Sequence, residues 1–338
     1  MNKIINEKIG VSTLTASILG LKKIKTNAKS FQAYFMVGTK CMNSCAFCAQ
    51  GKKSAGNNEL LSRVSWPSFD IDIVINSLQN NNIIKKGCFQ VVGVNNYFNN
   101  FIEILGRFNK SLNIPFGASI DVYDIQQIDI LFKNNLLNLG IAIDAASDVI
   151  YNKIKRKNIS FDKIVNLAIE ASKKYPSKIT VHIIVGLGES DFDLIKLFTL
   201  LKNNKVNIAL FAFTPIKGTE MEDFPKVELK RYRQIQFLRQ YIYSLDDSEV
   251  EDFTKNINFT KTMMIDSFSK KAFKDSNRYK NIIKILNEGD YLKTSGCNLC
   301  NRPYYNDEPL DKDLYNFHFN PPIEIVEKWK NFFIEKFV

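Results

Sequence analysis

The sequence predicts an α/β protein, a closed or partly closed barrel of parallel strands with helices outside, on three observations. Apolar runs of strand length alternate with helix-period segments about six times between residues 31 and 245. Those runs are apolar almost throughout, as parallel strands covered on both faces are. No G-x-G-x-x-G turn follows the first run, which disfavours an open dinucleotide-binding sheet.

Taken in order, residues 2–25 are expected to form a helix that leads into the first strand, Phe31 to Thr39. The segment Leu61 to Asp70 reads as a loop, with Pro67 announcing a helix over Asp70 to Gln79. Strands are expected at Gly87–Val94, Ile114–Asp121, Leu139–Asp144, Lys178–Gly186 and Asn207–Pro215. The intervening helices cover Asn96–Phe108, Asp124–Asn134, Ile164–Lys174 and Asp191–Asn204, and a long one covers Glu228–Leu245. After Leu245 the alternation stops; a strand near Ile257–Met264 and a helix at Asn277–Gly289 precede a cysteine-bearing tail. The domain reading is a helical lead-in over 1–30, the barrel over 31–245, and an extension over 246–338. With no internal repeat and no Gly/Ser linker, the extension is expected to pack on the barrel.

At 338 residues and 45% hydrophobic, the chain has enough material for a full core. Its net charge of +11 is dispersed in short clusters, with no basic tail and no nucleic-acid motif. No apolar run reaches the roughly 18–20 residues that span a membrane. The N-terminal VSTLTASILGL lacks the continuous apolar centre and cleavage site of a signal peptide. Six cysteines, three of them clustered, point to metal in a reducing cytoplasm instead of disulfides. No Ser-His-Asp arrangement or paired-carboxylate site stands out, so hydrolase chemistry has little support.

The stretch that carries chemistry is KCMNSCAFCAQ, Lys40 to Gln50, directly after the first strand. Cys41, Cys45 and Cys48 stand at C-x3-C-x2-C spacing, with Phe47 before the third. Three thiolates do not complete a tetrahedral zinc site, which takes four ligands. They suit three irons of a [4Fe–4S] cluster with the fourth iron left open. The spacing and the aromatic resemble the signature of the radical S-adenosylmethionine (SAM) superfamily. The resemblance implies a (β/α)6 partial TIM barrel with an N-terminal helix and a C-terminal extension. It also implies that SAM chelates the open iron and is cleaved to a 5′-deoxyadenosyl radical by an electron from the cluster, supplied by a ferredoxin-type reductant.

Other residues gain a role from that resemblance. The GLGE turn (Gly186, Gly188, Glu189) follows the fifth strand, and in radical SAM proteins this turn lies near adenine; otherwise it is an ordinary turn. Thr214, Pro215 and Ile216 resemble the sixth-strand motif that meets adenine. Asp144 and Arg156 are candidates for the ribose and the methionine carboxylate of SAM, the alternatives being a helix N-terminal carboxylate and a surface arginine. Of the two histidines, His182 is expected to line the core or barrel and His318 to lie at the surface.

Three further cysteines remain. Cys297 and Cys300 form a C-x2-C pair, and Cys88 lies at the second strand. Together they suffice for three irons of an auxiliary cluster, with Ser295, a substrate or a sulfur species as fourth ligand. The alternatives are a zinc site or buried thiols. The whole pattern looks like a biotin synthase-like enzyme, but the third and fifth strands carry no cysteine for that enzyme's inner cluster. A closer resemblance is to a subunit of the two-component (class II) lipoyl synthase. CAFCAQ, LSRVSWP, CFQ and SGCNLCNRPYYNDEP carry it. It implies a sulfurtransferase that inserts sulfur into an octanoyl chain on a lysine of a lipoyl domain or glycine-cleavage H protein, with a paralogous radical SAM subunit as partner. A sacrificial auxiliary cluster would supply the sulfur. The motif arginines, Arg63 and Arg302, are candidates for substrate contacts. Two other readings stand beside it. One is a radical SAM enzyme with a single cluster, such as an isomerase. The other is a zinc-stabilised protein with ligands at Cys41, Cys45, Cys48 and the C-x2-C pair.

Overall fold

The computed structural model describes residues 7–26, 28–268, 276–297, 300–307 and 311–337. Residues 2–6 of the expected leading helix, and 298–299 and 308–309 of the tail motif, lie outside the described residues.

The first described element is a strand where a helix was expected. β1 (Lys8–Val11) pairs antiparallel with β2 (Gln32–Val37), and a short helix α1 (Thr13–Ile18) lies between them. The physical reason is tertiary. Both edges of β1 are hydrogen-bonded, one by β2 and the other by a later strand. At Gly10 an added Cβ would lie 3.1 Å from the Met36 Cβ, so the two strands approach closely there. A ladder on two sides outweighs weak helix propensity.

The segment 61–70 also differs from the loop expected. It holds the hairpin β3 (Leu60–Leu61) and β4 (Val64–Ser65), then β5 (Ser68–Asp70), which closes the outer side of β1. These ladders are two or three residues long, too short to leave an alternating pattern. Asp70 then caps α2 (Ile71–Gln79), accepting from the Asp72 and Ile73 amides.

From there the predicted alternation is met. β6 (Lys86–Val91) is followed by α3 (Tyr97–Ser111), β7 (Phe116–Ser119) by α4 (Ile125–Lys133), and β8 (Leu136–Asp144) by α5 (Asp148–Ile154) and α6 (Phe161–Lys174). β9 (Ile179–Val185) leads to α7 (Asp191–Asn203), and β10 (Asn207–Ala212) to α8 (Leu229–Ser244). The six strands β2, β6, β7, β8, β9 and β10 are all parallel and lie side by side in chain order. This is an α/β (β/α)6 arrangement whose last strand does not pair back onto the first, hence a partial barrel.

Side chains alternate across these strands. Phe35, Phe89 and Phe116 point outward and meet Phe108 of α3, with ring centroids 5.1–5.5 Å apart. The inward set is Gln32, Tyr34 and Met36 on β2, Lys86, Cys88 and Gln90 on β6, and Thr180, His182 and Ile184 on β9. Cavity lining and strand register agree on this. Gly140 on β8 lets the His182 ring lie across that strand: a Cβ there would meet His182 Nε2 at 2.7 Å.

The tail packs on the barrel's open edge. Ser295 Oγ accepts from the Leu210 amide at 2.8 Å. The Asn306 side chain accepts from the Ala212 amide (3.2 Å) and donates to its carbonyl (2.6 Å). Arg233 of α8 holds the following segment through Asp313, and Tyr315 Oη donates to the Val227 carbonyl. α9 (Asp247–Lys255), a hairpin of β11 (Ile257–Phe259) and β12 (Ile265–Phe268), α10 (Ser276–Glu288) and α11 (Ile323–Phe337) complete the described residues. Among the described residues no helix is long and apolar enough to cross a membrane.

Candidate active site

Two cavities lie in the barrel interior. The upper one, at the C-terminal ends of the parallel strands, leaves about 210 Å³ open to the centre of a water-sized sphere. The lower one, among the N-terminal halves, leaves about 40 Å³. Gln90, Ser119, His182, Phe211 and Tyr305 line both, so these side chains form the shared wall.

The three-thiol loop forms the rim of the upper cavity. Backbone hydrogen bonds fold it tightly: Cys41 N to Gln50 O, Cys48 N to Cys45 O, and Lys52 N to Asn43 O. Met42 N donates to Gly93 O and Ala46 N to Ile154 O, tying the loop to the ends of β6 and α5. Gln50 is the buried strut. It accepts from Lys40 N and donates to the carbonyls of Asn58 and Leu60. Cys41, Cys45 and Cys48 all line the cavity. Burial pushes the Cys48 thiol up to about 12 and raises that of Cys45, with Lys155 opposing. Such thiols ionise when a metal takes them, not on their own.

Beside them stands a set of charges. Lys155 Nζ is 2.5 Å from Asp144 Oδ2 and 5.8 Å from the Phe47 ring centroid. Lys157 pairs with Asp121, which also accepts from Asn43 Nδ2 at 2.8 Å. Burial works against the Lys155 charge, but Asp144, Cys45 and Asp121 outweigh it, and its pKa stands well above the ordinary lysine value. For Asp121 the two lysines outweigh burial, and its pKa is lowered. Asp144 sits at φ +63°, a left-handed position at the end of β8.

The lower cavity gathers the remaining thiols. Cys88, Cys297 and Cys300 all line it, and each accepts from its own donor. Gln90 Nε2 donates to Cys88 at 3.4 Å, Lys86 Nζ to Cys297 at 3.5 Å, and Arg302 Nη1 to Cys300 at 3.2 Å. Cys297 and Cys300 share a hydrogen bond, so one proton of the pair is held loosely and the other tightly. Cys300 is pushed down, with Arg302 and Lys86 helping, and Cys297 is pushed up. Arg302 lies over the Phe211 ring, 4.1 Å from its centroid. Burial pushes His182 down to about 4, with Arg302 adding to it, so the ring is neutral.

Of the residues singled out from the sequence, Phe47, Asp144, Thr214 and Ile216 line the upper cavity with the three thiols. Pro215 lies between the last two but does not line it. Arg156 turns outward and pairs with Glu220 at 2.7 Å, while Lys155 and Lys157 on either side reach the cavity. Gly186, Gly188 and Glu189 lie away from both cavities. The Glu189 carboxylate accepts from the Gly186 and Leu187 amides and pairs with Arg231. Arg63 is in the turn between β3 and β4, next to the cavity-lining Ser62. Ser295 caps the β10 edge, and Arg302 joins the lower thiols. His318 is half-buried against Tyr304 and Phe319 instead of lying free at the surface.

Sequence reasoning missed Lys155, Lys157, Asp121 and Tyr34. Inward alternation from Gln32 and from Lys86 is the signal that finds Tyr34. Spacing by two around Arg156 is the one that finds the lysines.

The zinc-protein reading joined both cysteine sets, but they line different cavities. Among the described residues, no three His, Cys, Asp or Glu side chains converge on one point as a single metal ion requires. A cubane cluster spreads its thiolates wider than one ion does, and Cys41, Cys45 and Cys48 share the upper cavity while Cys88, Cys297 and Cys300 share the lower one.

Comparison with known proteins agrees with this geometry. The sequence pattern of the Radical SAM superfamily matches residues 35–201. Among solved structures, that of methylornithine synthase (PylB) aligns with TM-score 0.51 at 16% identity over 64% of this chain and 63% of its own. HydG, a maturase of the [FeFe]-hydrogenase, aligns with TM-score 0.51 at 12% identity over 63% of this chain and 50% of its own. HydG from Carboxydothermus hydrogenoformans gives TM-score 0.50 at 13% identity over 71% and 59%. The chain thus spans less than two thirds of the length of these structures, and the likeness is one of fold. No curated protein matches the sequence. With the three-thiol loop at the mouth of a (β/α)6 partial barrel, residues 35–201 form a radical SAM domain, and enzymes of that superfamily use a [4Fe–4S] cluster and SAM for radical chemistry.

Proposed function

We propose that this chain is a sulfur-inserting radical SAM enzyme, a lipoyl synthase-type sulfurtransferase acting on an octanoyl chain attached to a protein lysine. One observation carries the reading. Three thiols from distant parts of the chain, Cys88, Cys297 and Cys300, meet in the lower cavity, each with its own hydrogen-bond donor. A radical SAM enzyme with a single cluster has no use for them.

The residues divide the work between two floors. Cys41, Cys45 and Cys48 hold the radical-generating cluster at the rim. Lys155, held charged by Asp144, is placed to bind the methionine carboxylate of SAM beside that cluster. Thr214 and Ile216 border the same space and suit adenine. Cys88, Cys297 and Cys300 would hold the auxiliary cluster below, and Arg302 and Lys86, which donate to Cys300 and Cys297, would offset its negative charge. When bound, these groups supply a hydrogen-abstracting radical above and sulfur below. The shared wall of His182, Phe211 and Tyr305 is where an alkyl chain meets both.

The partners follow from the same reading: a ferredoxin-type reductant, an octanoylated lipoyl domain or glycine-cleavage H protein, and a paralogous subunit for the second sulfur. A net charge of +11 suits an acidic carrier. The test is an anaerobic assay of an octanoyl-lysine peptide with SAM and reductant, with and without the paralogous subunit, read by product mass. A gain of sulfur is expected. Rearranged peptide without sulfur would point to an isomerase instead.

A further inference from the structure

The lower cavity holds more polar atoms than its thiols explain. Among the described residues, Gln32 Oε1 and Nε2, Tyr34 Oη, Thr180 Oγ1 and Arg302 Nε are buried there without a hydrogen-bond partner. Buried polar atoms are nearly always satisfied, and leaving one without a partner is costly. Several orphans around one cavity point to a ligand that satisfies them.

Tyr34 differs from the others in position. It is opposite Cys88 in the parallel pairing of β2 and β6, so the two side chains project inward side by side. Burial, and after it Cys300, holds its hydroxyl well above the ordinary phenol value, with Arg302 opposing and Cys88 and Cys297 adding to the rise. Three thiols serve three irons of a cubane cluster and leave one without a protein ligand. Ser295 was the candidate from sequence for that place. Its Oγ instead accepts from Leu210 N at the outer edge of β10.

We propose that Tyr34 is the fourth protein ligand of the auxiliary cluster, through its phenolic oxygen. The inference rests on the reading that Cys88, Cys297 and Cys300 hold such a cluster. A phenol is the most acidic of the candidate hydroxyls, at about 10 in water, and it gives up its proton to solvent when the iron–oxygen bond forms, as the thiols do. Arg302 stands close enough to compensate the added negative charge. Oxygen is a harder donor than thiolate, so this iron would differ in ligation from the other three. That suits a cluster dismantled to release sulfur. Gln32 and Thr180 then serve as hydrogen-bonding neighbours of the same group.

The experiment uses the full chain carrying Cys41→Ala, Cys45→Ala and Cys48→Ala, reconstituted anaerobically with iron and sulfide. About four irons per chain are expected from the lower thiols alone. Visible-excited resonance Raman should show phenolate ring modes that move when the protein is grown on ring-deuterated tyrosine. Tyr34→Phe in this background should keep the iron and lose those modes, and Ser295→Ala should keep both. If the tyrosine-bearing protein holds its iron without phenolate modes, or if they persist in Tyr34→Phe, the ligand assignment is overturned. If the triple variant holds no iron, the three-thiol reading fails first and the assignment falls with it. Since Tyr34 Oη has no partner among the described residues, iron-free Tyr34→Phe should melt no lower than the parent, which separates ligation from folding.

Discussion

Lys155 Nζ lies 2.5 Å from Asp144 Oδ2, with both side chains at most one-tenth exposed, beside the rim that carries the three thiols. A buried pair of this kind is worth little against an apolar replacement, but breaking it by removing one partner is costly. Lys155→Met leaves the Asp144 carboxylate buried and alone. We expect a loss of about 3–5 kcal/mol in denaturant unfolding of the iron-free chain. Adding Asp144→Asn should return much of it. An unchanged unfolding midpoint in Lys155→Met would show that the pair contributes nothing. SAM affinity, by equilibrium dialysis with the loaded enzyme, should fall at least tenfold in both variants, about 1.4 kcal/mol or more.

The two cavities separate two half-reactions, so they should separate genetically. Cys297→Ala and Cys300→Ala alter the lower floor alone. Both variants should still form 5′-deoxyadenosine from SAM near the parent rate while sulfur-bearing product disappears. Chromatography of the nucleoside and mass spectrometry of the peptide check this on one sample. Retained sulfur insertion in either variant would exclude the pair from the sulfur source.

Asn306 binds the β10 edge through both faces of its amide, to Ala212 N and O. Asn306→Ala strands a buried donor and acceptor together. The expected cost is about 1–3 kcal/mol for each group left unpaired. Ser295→Ala, which loses the single bond to Leu210 N, should cost less. Thermal unfolding of the iron-free chain ranks them. Equal melting of Asn306→Ala and the parent would mean that water enters and replaces the amide.

Asp307 gives the fold a pH signature. Burial pushes its carboxyl up to about 6, although the Tyr315 and Asn316 amides favour the ionised form. The folded chain therefore holds this proton more tightly than the unfolded chain. The contribution is fully present below about pH 4 and is lost as pH rises through about 6. Asp307→Asn should remove that component, so the stability difference between variant and parent should change between pH 4 and 7 and stay flat above. A difference independent of pH would show Asp307 to be ionised throughout.

The barrel was legible because its six strands are apolar and its helices periodic, and local pattern and tertiary role agree there. The rim thiols were legible because their spacing is local. Lys8–Val11 was not, since it is a strand only by virtue of neighbours on both sides. The short ladders over residues 60–70 fail for the same reason. At the site, Arg156 was the candidate beside Asp144 for the SAM contacts, yet it sits at a left-handed φ of +51° and pairs with Glu220, while the flanking lysines face inward. Cys88 was visible, but its meeting with Cys297 and Cys300 is not. It depends on the tail returning more than two hundred residues later to the end of the sheet.

That return has a consequence for the chain's behaviour in solution. A partial barrel has an unpaired margin, here β10, whose outward N–H and C=O groups are a template on which another molecule's strand can add. The side chains of Ser295 and Asn306 occupy its hydrogen-bonding positions, so the margin is closed by amide and hydroxyl groups that cannot propagate a sheet. A chain ending before Ser295 would keep all six barrel strands and lose this cover. It should associate edge to edge and sediment as an aggregate where the full chain does not.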